Sequence, residues 1–398
     1  MNKTVEYLRS PEAVRDRCEQ LFDLAQADKL AHFRVDLTQI DPVAEYGIAV
    51  IREHYPDLEI PFHSRWRHFE VGGTRLSQLE AALKELSPID QAKAKFDLVI
   101  PSVLLDAGAG DRWKYRDDQT WTRSEGLAIA SFDAFCQGAF STQPYQTDAE
   151  GLKKITPDTI AKHFQVSLEN PLVGLAGRSN LLQKLGHTIE QSPDLFGTDP
   201  RPGNLVDYLI QQSEHGTLSA AIVFDAVLSG LSEIWSGRLS IDRTNLGDVW
   251  HHSALPGTWS DQLIPFHKLS QWLTYSLLEP LQDLGLKITE LDRLTGLPEY
   301  RNGGLCIDLG LLQLKDPQQA TLPHAPDSEL IVEWRALTVC LLDRIAATIR
   351  TRLDLDSNAL PLVRVLQGGT WTAGRKIAAT LRPTGTPPIQ ISSDGTVF

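Results

Sequence analysis

Residues 329 to 354, ELIVEWRALTVCLLDRIAATIRTRLD, repeat apolar side chains at helical spacing over about seven turns, at 3.6 residues per turn. They form the longest amphipathic helix in the chain, and a helix of that length needs partners along its apolar face. The sequence offers many. Residues 9 to 30 read as a helix capped by Ser10, with Pro11 in its first turn and Val14, Cys18, Leu21, Phe22, Leu24 and Ala25 on one face. Residues 43 to 54 form a shorter one, ended by the Tyr55-Pro56 step. Further helical spacing covers 75 to 95, 123 to 141, 155 to 165 (opened by Thr156-Pro157), 170 to 190, two segments within 204 to 236, and 265 to 281. Strand signals are marginal. They gather at the end, where residues 361 to 398 carry turn signals at Gly368-Gly369 and Thr384-Gly385 and alternation in IQIS. The expected fold is mainly α, with a small C-terminal β-ribbon or loop cap bearing Arg375 and Lys376. The expected organisation is one large domain over 1–398. It comprises an N-terminal helical lobe (1–95), a helical core with the site (96–354) and the cap (355–398).

Composition narrows the function. The 398 residues are 42% hydrophobic, enough for a large core. A formal net charge of -13 argues against a general nucleic-acid or membrane-surface binder, though not against a local basic pocket for a small anion. Cys18, Cys136, Cys306 and Cys340 are far apart, without a CxxC pair, as in a reducing compartment. The polar start, MNKTVEYLRSPEAVRDRCEQ, lacks an apolar signal core, and no run has the length of a membrane span. A soluble, cytoplasmic protein is expected.

Three stretches concentrate chemistry. In LTGLPEYRNGGLCIDLGLL, residues 294 to 312, Glu299, Tyr300 and Arg301 share one turn between Pro298 and Gly303-Gly304. Such groups are costly to bury unless they pair or work. This reads either as one wall of a polar pocket or as a helix-start turn with a surface ion pair. In PFHSRWRHFEVGG, residues 61 to 73, Trp66 and His68 sit among arginines. The segment reads as an anion- or sugar-contact surface, or as a loop pinned by Arg65 or Arg67 stacked on Trp66. The apolar run 96 to 105 delivers Asp106 to a glycine-rich loop, as a site residue or as a turn residue. On the 265–281 helix, Lys268, Gln271 and Tyr275 share a face. No GxSxG, HExxH or P-loop occurs. A metal held by some of His63, His68, His251, His252, Cys306 and Asp308 has no supporting spacing, so no cofactor is expected. A carboxylate in a partly dry polar pocket suits hydrolysis of a glycosidic C–N bond. It can stabilise the oxocarbenium-like transition state and take a proton from water. Glu299 can fill that role, with Lys268 and Arg301 on a phosphate.

The motifs RWRHFEVGG, DLVIPSVLLDAGAGDRWKY, RSEGLAIASFDAF, FQVSLENPLVGLAGR, LTGLPEYRNGGL, GGTWTAGR and SDGTVF resemble the fungal and bacterial uracil catabolism protein four family over essentially the whole chain. The resemblance implies an enzyme near the step at which a ribosylurea 5-phosphate-like intermediate yields urea. A second, patchier resemblance is to the queuosine-salvage N-glycosylases, helical relatives of DNA glycosylases, with segments F-Y-K-R-A-Q and F-A-D-Y-R. Phe266, Lys268 and Gln271 match the first, with His267 in place of Tyr. Tyr300 and Arg301 match the second, with Glu299 in place of the catalytic Asp. Together they imply a glycosylase-like helical bundle and an N-ribosyl hydrolase acting on a small phosphorylated ribosyl substrate. Glu299 would be catalytic. Lys268, Arg301 and Arg375 would hold phosphate. Tyr300 and Asp106 would line the sugar or urea pocket, with Trp66 and His68 as further substrate contacts. A metal-dependent amidohydrolase acting on the ureido group, or a non-catalytic pathway partner, are the alternatives.

Overall fold

The computed structural model describes residues 2–235 and 238–392. The motif SDGTVF lies outside the described residues. The chain is mainly α, as expected, and forms two compact units. One comprises 2–63, 238–271 and 290–392, the other 64–235 and 272–289. Among the described residues no helix is long and apolar enough to cross a membrane.

The first unit is built on the helix Glu329–Leu353, buried along its length from Leu330 to Ile349. Helix Pro11–Gln26 packs on it through the face that carries Val14, Cys18, Leu21 and Phe22. That helix starts where Ser10 Oγ accepts the Ala13 N–H, leaving Pro11 the position that needs no donor. Helix Ile40–His54 packs on it too. Short antiparallel pairs fasten the edges, Phe33–Val35 with Leu312–Leu314 and Val249–His251 with Leu263–Pro265. The second pair delivers the chain to the helix Lys268–Asp283.

The C-terminal cap differs from expectation. Residues 362–381 are helical: Leu362–Val365, a π-helical segment Leu366–Trp371, then Thr372–Leu381. Arg375 and Lys376 therefore stand on a helix, not on a ribbon. Gly368 and Gly369 mark no turn. They lie against Ile51, Ile60 and Ile349, and the missing side chains give those residues room. The only strand in this described stretch is Gln390–Ile391, paired in parallel with Pro323–His324.

In the second unit the run DLVIPSVLL is not amphipathic because the helix Pro88–Leu104 is buried on nearly every side from Phe96 to Leu104. Helices Arg123–Cys136, Leu175–Glu190 and Ala220–Leu231 complete its main framework. Asp97 is fully buried, but it accepts from Arg201, Thr147 N–H (3.2 Å) and Gly203 N–H (2.6 Å). Burial still pushes its carboxyl up to about 6.

Candidate functional site

The first unit gathers Glu299, Tyr300, Arg301 and Lys268. Glu299 is the N-cap of the helix Tyr300–Asp308. Its two carboxylate oxygens take the N–H of Arg301 at 2.7 Å and of Asn302 at 2.6 Å. So the helix-start reading of this turn holds, but not as a surface ion pair. Burial raises the Glu299 carboxyl above its ordinary 4.5, while those two N–H groups and then the charges of Lys268 and Arg301 pull it back. The result is a fixed carboxylate, more basic than a free one, in the field of a lysine.

Two clamps hold that lysine's helix to the segment before Glu299. Gln271 donates to Thr295 Oγ1 at 2.7 Å and accepts the Thr295 N–H at 2.7 Å. Asp248 forms the second. It accepts the backbone N–H of Lys268 at 3.0 Å and the indole N–H of Trp250 at 2.6 Å. It also takes both guanidinium ends of Arg335, at 2.8 and 2.7 Å. Arg335 lies 4.0 Å from the Phe266 ring centre and donates through Nε to the carbonyl of Pro298 (3.4 Å), the residue before Glu299. Despite burial, Arg335 holds the Asp248 carboxyl well below the usual carboxylate range.

Close helix contact fixes the other side. A Cβ on Gly303 would meet Trp334 Nε1 at 2.6 Å and Thr338 Oγ1 at 2.8 Å, so the 300–308 helix lies directly on the long helix. A Cβ on Gly374 would collide with the carbonyl oxygen of Arg301. Gly374→Ala should therefore cost about 1–3 kcal/mol, because backbone cannot yield as a side-chain tip does. Thermal melting checks this, and an unchanged melting temperature would rule the contact out as rigid. Arg301 donates to Gly385 O at 2.8 Å and lies 5.0 Å from the Tyr300 ring centre. Arg375 stacks on Trp371 at 5.0 Å, within the helical cap that packs on the 300–308 helix.

The second unit holds Trp66, His68 and Asp106. Trp66 is buried and donates through its indole to Ser276 O at 2.8 Å, an anchoring role. Arg65 does not stack on Trp66; its guanidinium lies 5.9 Å from the Phe69 ring centre and 5.7 Å from that of Trp272. Nor does Arg67 replace it there, since it pairs with Glu70 at 2.9 Å and Glu279 at 2.7 Å. His68 packs edge-on to Trp272, ring centres 5.9 Å apart. Asp106 pairs with Arg65 at 3.2 Å. Arg178, fully buried, pins the chain on both sides of Asp106 through the carbonyls of Leu105, Ala107 and Gly108.

Among the described residues no group of three His, Cys, Asp or Glu side chains is placed to hold a metal. His63 bonds Gln367 at 2.9 Å and His251 bonds Gln262 at 2.8 Å. Asp308 takes Arg382 at both oxygens, and burial pushes the Cys306 thiol up to about 12. Sequence reasoning did not single out Asp248, Arg335, Arg65 or Trp272 as site residues. For Arg335 there was a signal: a lone arginine inside the apolar run LIVEWRALTVCLL.

A model of the family described as "Protein of unknown function (DUF1688)" matches residues 7–398. The chain is 37% identical, over 442 aligned residues covering 100% of both proteins, to "Uracil catabolism protein 4" of Lachancea kluyveri. It is 40% identical, over 410 aligned residues covering 100% of this chain and 99% of the relative, to "Protein urg3" of Schizosaccharomyces pombe. The resemblance read from the motifs is thus matched along the whole chain, and the protein belongs to the DUF1688 family.

Proposed function

We propose that this protein is an N-ribosyl hydrolase of uracil catabolism, cleaving the C–N glycosidic bond of a ribosylurea 5-phosphate-like substrate to urea and ribose 5-phosphate. The observation that carries the reading is the Glu299 carboxylate, fixed by two backbone N–H groups, made more basic by burial, and set in the field of Lys268. The name of the Lachancea kluyveri relative supports the pathway. In this reading Glu299 orients a water, takes its proton and stabilises positive charge developing on the ribosyl ring. Water oxygen bonds to the anomeric carbon, the C–N bond breaks, and the leaving nitrogen ends protonated as urea. Lys268 and Arg301, helped by Arg375, hold the 5-phosphate. Tyr300 lines the sugar.

Release of urea and ribose 5-phosphate from synthetic ribosylurea 5-phosphate tests this. Turnover should persist in chelator. Loss of turnover only with chelator would favour the metal-dependent amidohydrolase, and no turnover by metal-replete protein would favour a non-catalytic partner. The reading also fixes a pH profile. The working form is the carboxylate, so kcat/KM should fall as pH drops through the raised Glu299 value, with the acid limb above 4.5. An acid limb at or below 4.5 would remove Glu299 as the base.

A further inference from the structure

We infer that the second unit carries a recognition edge for a small neutral group in which C=O stands next to N–H (an amide, lactam or ureide), formed by Arg65, Asp106 and Trp272. The inference starts from what Arg65 leaves unused. Its guanidinium is fully buried. Nε donates to Ser102 Oγ at 2.8 Å, and Ser102 is itself tied to Ser131 at 2.6 Å. Nη1 serves Asp106 Oδ2 at 3.2 Å and Ser124 O at 3.3 Å. The backbone N–H of Arg65 is held by Ser276 Oγ at 2.9 Å. Three of the five guanidinium hydrogens are thereby placed, and the group is rigid.

The remaining atoms do not match one another. Among the described residues Arg65 Nη2, Asp106 Oδ1 and Trp272 Nε1 are buried without a hydrogen-bond partner. All three surround one guanidinium: Nη2 belongs to it, Oδ1 to the carboxylate it binds through a single contact, and the Trp272 ring centre lies 5.7 Å from it. An arginine and a carboxylate with freedom to turn would close a two-point pair, giving both Nη2 and Oδ1 a partner. Here the serines and Ser124 O hold the guanidinium in a one-point pair, with a donor and an acceptor left side by side. Buried polar atoms in that state are costly, so they mark a place where a partner belongs. The side chains around these atoms are nearly but not wholly covered: Asp106 keeps 8% of its side chain exposed, Trp272 is 8% and His68 5% exposed.

Charge and geometry choose the ligand. An anion would suit Nη2 and the indole N–H but would face the bare oxygen of Asp106. A cation would face two donors. A neutral planar group suits all three: its carbonyl oxygen accepts from Nη2 and Trp272 Nε1, and its adjacent N–H donates to Asp106 Oδ1. The Trp272 ring is itself held in place by His68, which packs edge-on to it with ring centres 5.9 Å apart.

The probe is ethyleneurea, a rigid cyclic ureide, titrated calorimetrically into the full chain. Saturable binding is expected in the millimolar range. N,N′-dimethylethyleneurea, which has no N–H, and inorganic phosphate should not bind there. Trp272→Phe keeps an aromatic side chain and removes the indole donor, so affinity should fall about three- to tenfold in a protein that still folds. Arg65→Lys removes both Nη2 hydrogens and should abolish binding. Should that variant fail to fold, Trp272→Phe still decides. The assignment is overturned by no saturable binding to wild type, by equal binding of the dimethyl compound, by phosphate binding weakened in Trp272→Phe, or by Trp272→Phe binding as wild type. Because binding is read, not turnover, the result is independent of whether Glu299 cleaves anything.

Discussion

Glu299→Gln lowers turnover of ribosylurea 5-phosphate by about 10²- to 10⁴-fold, the range for losing a positioned general base. KM should change little, since the phosphate contacts assigned to Lys268 and Arg301 remain, and an interaction made mainly in the transition state is the one removed. The fold should survive. The amide oxygen of Gln can still accept one of the two N–H groups now held by Glu299, so the cost is about 1 kcal/mol, that of a weakened cap. Glu299→Asp separates the roles further. Asp is a good N-cap and keeps the charge, but draws the carboxylate back by one methylene. It should melt near wild type and retain part of the activity. Parallel kinetics and melting curves decide the matter. A Glu299→Gln protein with wild-type turnover and a lowered melting temperature would make Glu299 a cap and nothing more.

What could be read from the sequence was local. The long helix, expected over 329–354, spans Glu329–Leu353, because its periodicity and its boundary residues lie within the segment itself. Ser10 and Thr156 cap the helices they were expected to cap for the same reason. Gly368-Gly369 misled because a glycine pair is a turn signal in isolation. Here a neighbouring helix presses Ile51 against that backbone, and packing outweighs propensity. Glu299 and Lys268 could be picked out by residue type and by resemblance. Their supports could not. Asp248 and Arg335 are 87 residues apart, and nothing in one sequence pairs them. Arg65 was visible within an unusual loop, yet one of the two readings of that loop stacked it or Arg67 on Trp66, and the indole Arg65 meets belongs to Trp272.

Arg335→Met should cost about 3–5 kcal/mol, the range for breaking a buried ion pair by removing one partner. Arg335 is 2% exposed at its side chain, and its loss leaves the Asp248 carboxylate, 17% exposed, with the Trp250 and Lys268 N–H donors but without its guanidinium partner. The pH dependence separates this from lost packing. In the wild type the Asp248 value is depressed below its ordinary 3.8. Its stabilising contribution is therefore present above pH 3.8 and is lost only as pH falls through the lower folded value. Without Arg335, burial dominates and the folded value rises above 3.8, so the variant gains stability by taking up a proton as pH falls. The gap between wild type and Arg335→Met should accordingly be larger at pH 7 than at pH 4. Asp248→Asn in the Arg335→Met background removes the unpaired charge and should recover part of the loss at pH 7, with little further change at pH 4. Denaturant melts at the two pH values measure all of this. A gap that is the same at both would assign the cost to packing against Phe266. Asp248 also accepts the N–H that opens the Lys268 helix, and Arg335 reaches the carbonyl preceding Glu299. The variant that remains folded should thus lose turnover as well, because the lysine and the carboxylate are no longer held to a common support.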